Sequence, residues 1–161
     1  MLSKKRGQAW GFDLMIASLI FTAGIIVFYI YSINTTEEAD STINKLTYDG
    51  SILSNILLLE GSPKNWTTAN VVSPGLLTNN KINQTKIDNF YNLTRDNYSA
   101  VKALLNTQYD FYIYFSKNIT ANGQVIPGMG KIPSSPKNLI KIERVAIYND
   151  QPLTMNIEIW E

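Results

Sequence analysis

The stretch KKRGQAWGFDLMIASLIFTAGIIVFYIYSI, residues 4–33, decides how the rest of the chain is read. From Leu14 to Ile33 it carries no charge, and this is about the length that crosses a hydrocarbon core of roughly 30 Å. A helix buried in a globular core would show a polar stripe over such a length, and none is present. A removable secretory signal has an apolar core of roughly 7–15 residues and small residues at its cleavage site. Here the run is longer and ends in VFYIYSINTTEE, with bulky residues where small ones are needed. A membrane span is therefore expected. Lys4, Lys5 and Arg6 precede it, and only Glu37, Glu38 and Asp40 follow closely. The bias of cations toward the cytoplasmic side puts the N-terminus inside and residues 34–161 outside.

That outer part holds eleven of the fourteen Lys/Arg and twelve of the thirteen Asp/Glu. Such a balance gives no reason to expect nucleic acid as a partner. The chain has neither Cys nor His. A disulfide scaffold, Cys- or His-based zinc sites, Cys nucleophiles and Ser-His-Asp triads are thereby excluded. At 161 residues there is room for one modest domain beside the anchor.

After the span, Thr35 and Glu38 have the spacing of a capping box. Ala39, Ile43, Leu46, Gly50, Leu53 and Leu57 then recur at intervals of three and four, the apolar stripe of an amphipathic helix. Glu60-Gly61-Ser62-Pro63 reads as its stop. The sequence leaves open whether one helix runs through Asn34 or a second begins at Thr35. Residues 61–84 read as irregular or short extended structure, with turns at Ser73-Pro74-Gly75 and Asn79-Asn80. A short helix from about Thr85 points Ile87, Phe90 and Tyr91 inward. A second, capped near Asp96 or Asn97, points Tyr98, Val101, Leu104 and Leu105 inward.

The pattern then alternates. In Tyr109–Ser116, Phe111, Ile113 and Phe115 share one face, and Tyr112 and Tyr114 the other. Asn122-Gly123 marks a hairpin, and residues 127–136 read as loop. Residues 139–148 and 153–160 form a hairpin across Asn149–Pro152. In its second strand Leu153, Met155, Ile157 and Ile159 are buried, while Thr154, Asn156, Glu158 and Trp160 face out. The fold class is α+β: a long N-terminal helix, half membrane and half amphipathic, covers a C-terminal antiparallel sheet head with short helices. The organisation is a basic leader at 1–7, an apolar transmembrane and assembly helix at 8–33, an amphipathic helix at 34–60 and the head at 61–161.

A basic-Gly-Gln triplet directly before an N-terminal apolar helix resembles the class III signal peptide of archaeal type IV pilin-like proteins. The layout of apolar helix, amphipathic helix and sheet head is similar to that family as well. The resemblance implies that a prepilin-type peptidase cuts between Gly7 and Gln8, with Arg6 before the scissile bond. The apolar helix is then kept and joins identical or related subunits in an extracellular surface filament, the precursor residing in the cell membrane. Bacterial type IV pilins carry an acid early in the retained helix; Asp13, the sixth residue after the cut and one place from that position, resembles it, which implies pairing with the new amino terminus of a neighbouring subunit and a fixed axial register. The plainer alternative has Asp13 solvated at the cytoplasmic interface beside Lys4–Arg6. Ala23 and Gly24 allow close helix approach in the assembled bundle.

Six Asn-x-Ser/Thr sequons lie on the outer side. Asn34 is too near the membrane, leaving Asn65, Asn83, Asn92, Asn97 and Asn118 as glycosylation candidates. The aromatic strand Tyr109–Phe115 and Trp66 could form a carbohydrate-binding face, although aromatics on strands are by default packing residues. Among the acids Asp88, Asp110, Glu143 and Glu158 no spacing singles out a catalytic pair. No enzyme activity, metal or cofactor is expected. A filament subunit is the leading expectation. An uncleaved signal-anchored surface domain that binds a partner is the alternative.

Overall fold

The computed structural model describes the backbone of residues 4–161 and the side chains of residues 10–33 and 41–161. Two compact units are present, Met1–Ser41 and Thr42–Glu161. The first unit is helical: α1 is assigned from Lys4 to Leu57. The backbone is helical at Asn34 and Thr35, so no second helix starts there. The Thr35–Glu38 capping box and Ala39 lie outside the described side chains. Trp10–Ile33 is long and apolar enough to cross a membrane, and none of it is buried within the unit. This window opens four residues before Leu14 and so takes in Asp13.

The second unit is built on the last turns of α1. Leu46, Leu53 and Leu57 are fully buried, as the stripe predicts. Ile43 is not: it is 37% exposed, because the packed face begins only at Leu46, where Tyr109, Ile140 and Ile159 meet the helix. Gly50 is the point of closest approach. A Cβ there would lie 2.6 Å from Ile142 Cδ1, 3.1 Å from Ile159 Cγ2 and 3.3 Å from Ile140 Cδ1. The helix ends at Leu57 instead of Glu60, its last turn tightening as Leu59 N–H bonds Ile56 O at 3.1 Å. The expected glycine stop is in place, with Gly61 at φ +78°.

The chain then returns along the helix end, Leu76 N–H bonding Leu57 O and Leu77 N–H bonding Leu59 O. Strands β1 (Leu77–Thr78) and β2 (Lys81–Ile82) form a hairpin over Asn79-Asn80, both at positive φ. Helix α2 (Gln84–Asp96) starts a residue earlier than expected, because the Asn83 side chain caps it by accepting from Lys86 N–H. Helix α3 (Tyr98–Leu104) is capped by Asn97. Ile87, Phe90, Val101 and Leu105 are buried, whereas Tyr91, Tyr98 and Leu104 are half-buried.

Strand β3 (Asp110–Phe115) is followed by a separate hairpin, β4 (Ile119–Ala121) and β5 (Gln124–Ile126), over Asn122-Gly123. Within the expected loop, Met129–Gly130 forms a short strand, β6, on the edge of β3. The long hairpin is β7 (Leu139–Tyr148) and β8 (Gln151–Trp160). Its turn is only Asn149-Asp150, both left-handed, so Gln151 and Pro152 already pair with Tyr148 and Ile147.

The sheet order is β1-β2-β7-β8-β3-β6. It is antiparallel except for the β2–β7 pair, which is parallel. Strand β8 lies between β7 and β3, and this corrects its predicted outer face. Asn156 and Trp160 are each only 5% exposed, because large cross-strand neighbours flank them, among them Tyr114 beside Asn156. The inner row of Phe111, Ile113, Met155, Ile157 and Ile159 forms the core under α1–α3.

Candidate functional site

Every described side chain in the apolar half of α1, residues 10–33, is exposed. Asp13, Ala23 and Gly24 are all exposed, and a Cβ at Gly24 would meet nothing within 4 Å. Room for a neighbouring helix is therefore present at Ala23–Gly24. Arg6, Gly7 and Gln8 lie outside the described side chains. The sequence expectations did not include one feature: the amphipathic aromatics of the window lie toward its two ends, Trp10 at one and Tyr29 and Tyr31 at the other. That is the distribution of residues resident at membrane–water interfaces, and the spacing of these aromatics about the span was the available signal.

The other half of α1 is fastened to the head by a polar joint. The buried Lys86 ammonium, on α2, donates to Glu60 O at 2.7 Å and to Leu77 O. Burial pushes its pKa down, and the nearby Glu60 carboxylate opposes that shift. Glu60 accepts from Asn79 N–H at 3.2 Å and pairs with Lys64, which together hold its carboxyl below the usual value. A single lysine so connects the segment just beyond α1, the β1–β2 hairpin and α2. Arg144, on the inner face of β7, donates to Ser54 of α1 at 3.0 Å.

The sequons separate by environment. Asn65 and Asn118 are exposed in connecting segments. Asn83 and Asn97 use their side-chain oxygens as helix caps. The Asn92 amide, inside α2, exchanges hydrogen bonds with Asn122 at 2.8 and 3.5 Å, and its partner Thr94 is buried and bonded to Tyr91 O. Trp66 is core: it is 2% exposed and donates to Gly75 O at 2.9 Å. Tyr112 and Tyr114 stand half-buried on the outer face with ring centroids 5.9 Å apart.

Each of the four acids has its own partner. Asp110 bonds Lys102 at 3.1 Å and Lys131, and Asp88 accepts from Gln84 and from Asn122 N–H. Glu143 pairs with Lys141, and Glu158 accepts from Tyr114. Among the described residues no three His, Cys, Asp or Glu gather in a way that could hold a metal ion. No protein-family model, curated protein or solved structure matches the chain.

Proposed function

We propose that the chain is a type IV pilin-like structural subunit, trimmed after Gly7 by a prepilin-type peptidase and assembled through its apolar helix into an extracellular filament or related surface machine. The observation that carries this reading is the division of α1. Residues 10–33 are all exposed and mostly apolar, with Asp13 their one charge beside Ser18, Thr22 and Ser32, while Leu46, Gly50, Leu53 and Leu57 are committed to the sheet. A helix built this way serves lipid first and neighbouring helices later. Its apolar surface stays out of water in both states, so extraction costs little apolar burial. Asp13 is the exception, and an ammonium from a neighbouring subunit would offset its cost in an apolar bundle.

Replacing Gly7 by Leu tests the reading. The expected result is a precursor that keeps residues 1–7 and stays in the membrane fraction, with none in sheared surface filaments. Trimming and assembly at the native level would overturn the reading in favour of a signal-anchored surface domain.

A further inference from the structure

A small cleft of about 230 Å³ opens between the C-terminal turns of α2 and the β3–β6 edge of the sheet. Tyr91 and Arg95 line it from α2 and Tyr112 from β3, with the Gly128–Gly130 segment and Ile132 completing it. Glycine is required in that segment. A Cβ at Gly128 would lie 2.5 Å from Tyr112 Cζ and 2.6 Å from its hydroxyl, and Gly130 holds φ +102°. The backbone thereby lets the Tyr112 ring lie against it.

Three polar groups at this cleft make no hydrogen bond among the described residues: the hydroxyls of Tyr91 and Tyr112, and the terminal nitrogens of Arg95. Only Arg95 Nε is engaged, with Asp96 at 2.8 Å. That contact and the Asp96 charge raise the Arg95 pKa, so the guanidinium is charged at any working pH. Free donors beside tyrosine rings suit a ligand with C–H surface on one side and oxygens on the other. A guanidinium with both terminal nitrogens free matches a carboxylate in two-point fashion. The volume is below the roughly 300–1,000 Å³ of sites for drug-sized ligands, so one ring at a time fits.

We infer that the cleft between α2 and the β3–β6 edge binds an acidic saccharide residue, a uronic acid, whose carboxylate meets Arg95 and whose ring lies along Tyr112 and Tyr91. The site does not depend on filament assembly, since a signal-anchored domain would carry the same cleft. The test is saturation-transfer NMR on the full chain in lipid nanodiscs, with methyl glucuronide, methyl glucoside and the carboxylate peptide N-acetyl-Gly-Gly as probes. Transfer to the ring protons of the glucuronide is expected, with the glucoside about tenfold weaker, the scale of one charge-assisted hydrogen bond. Arg95→Gln should remove that preference, and Tyr112→Ala should abolish transfer. Should Tyr112→Ala not fold, Tyr91→Leu, a change at a half-buried position, serves in its place and should weaken binding. Three results would overturn the inference: no transfer to either sugar, a glucuronide signal unchanged in both Arg95→Gln and Tyr91→Leu, or a stronger signal from the peptide.

Discussion

Gly50→Val strikes the closest contact between α1 and the sheet, and its cost follows from three distances. The new Cβ begins 2.6 Å from Ile142 Cδ1. Ile142 is half-buried, and the end of its side chain can rotate away. Ile159 cannot, being fully buried on the central strand β8, and its Cγ2 is 3.1 Å from the same point. Alanine adds only the Cβ and gains about 1 kcal/mol in helix propensity, so Gly50→Ala should stay within about 1 kcal/mol of the parent. Valine adds two further methyl groups at a point already crowded by Ile140, Ile142 and Ile159. Its propensity gain is roughly 0.4 kcal/mol, against about 1–3 kcal/mol for overpacking. A net loss of about 1–2 kcal/mol should lower the melting temperature of the head by about 5–10 °C. Thermal unfolding followed by near-ultraviolet circular dichroism in nanodiscs reads this, because the tertiary signal reports the head. Asn55→Val, on the exposed side of the same helix, should change stability by less than about 0.5 kcal/mol. If Gly50→Val melts at or above the parent, the helix does not pack on β7 and β8 as described.

Lys86→Met leaves Glu60 O and Leu77 O without their donor, and should cost about 1–3 kcal/mol in urea unfolding. Asp110 supplies a pH dependence. Burial alone would raise its carboxyl pKa, but Lys131 and Lys102 outweigh burial and hold it below the ordinary 3.8. A carboxyl depressed in the folded state contributes stability above its unfolded pKa and loses it as pH falls through the folded value. Urea midpoints measured from pH 6 to pH 2 should therefore fall less steeply below about pH 4 in Asp110→Asn than in the parent. Where glycans are attached, glycopeptide mass spectrometry should find them on Asn65 and Asn118 ahead of Asn92, whose amide is engaged with Asn122.

Local signals carried most of the fold. The stripe from Leu46 to Leu57, the alternation in Asp110–Phe115 and the turn signals at Asn79-Asn80, Asn122-Gly123 and Asn149–Pro152 act over a few neighbours, and a single sequence shows them, though the last turn closes two residues sooner than expected. What escaped depends on partners far along the chain. Asn156 and Trp160 looked outward because alternation reads one strand at a time. Their burial comes from β3 and β7 closing on both sides of β8. The parallel β2–β7 pair and the short strand at Met129–Gly130 rest on one and two residue pairs, too few to leave a periodic trace. The candidate sites divide likewise. The sequons, Asp13 and the Ala23–Gly24 pair are readable as motifs. Lys86 at the joint, and the meeting of Tyr91, Arg95 and Tyr112, exist only once α2 lies against the sheet.

The most direct test of the filament reading is the N-terminal peptide of the native protein in sheared surface material, identified by mass. Gln8 can cyclise once exposed, so mass is a safer readout than chemical sequencing. A trimmed filament subunit begins at Gln8, with or without loss of ammonia, and is recovered in the filament fraction. A chain beginning at Met1 or Leu2 and confined to the membrane would contradict it, leaving Lys4–Arg6 only the task of orienting the span.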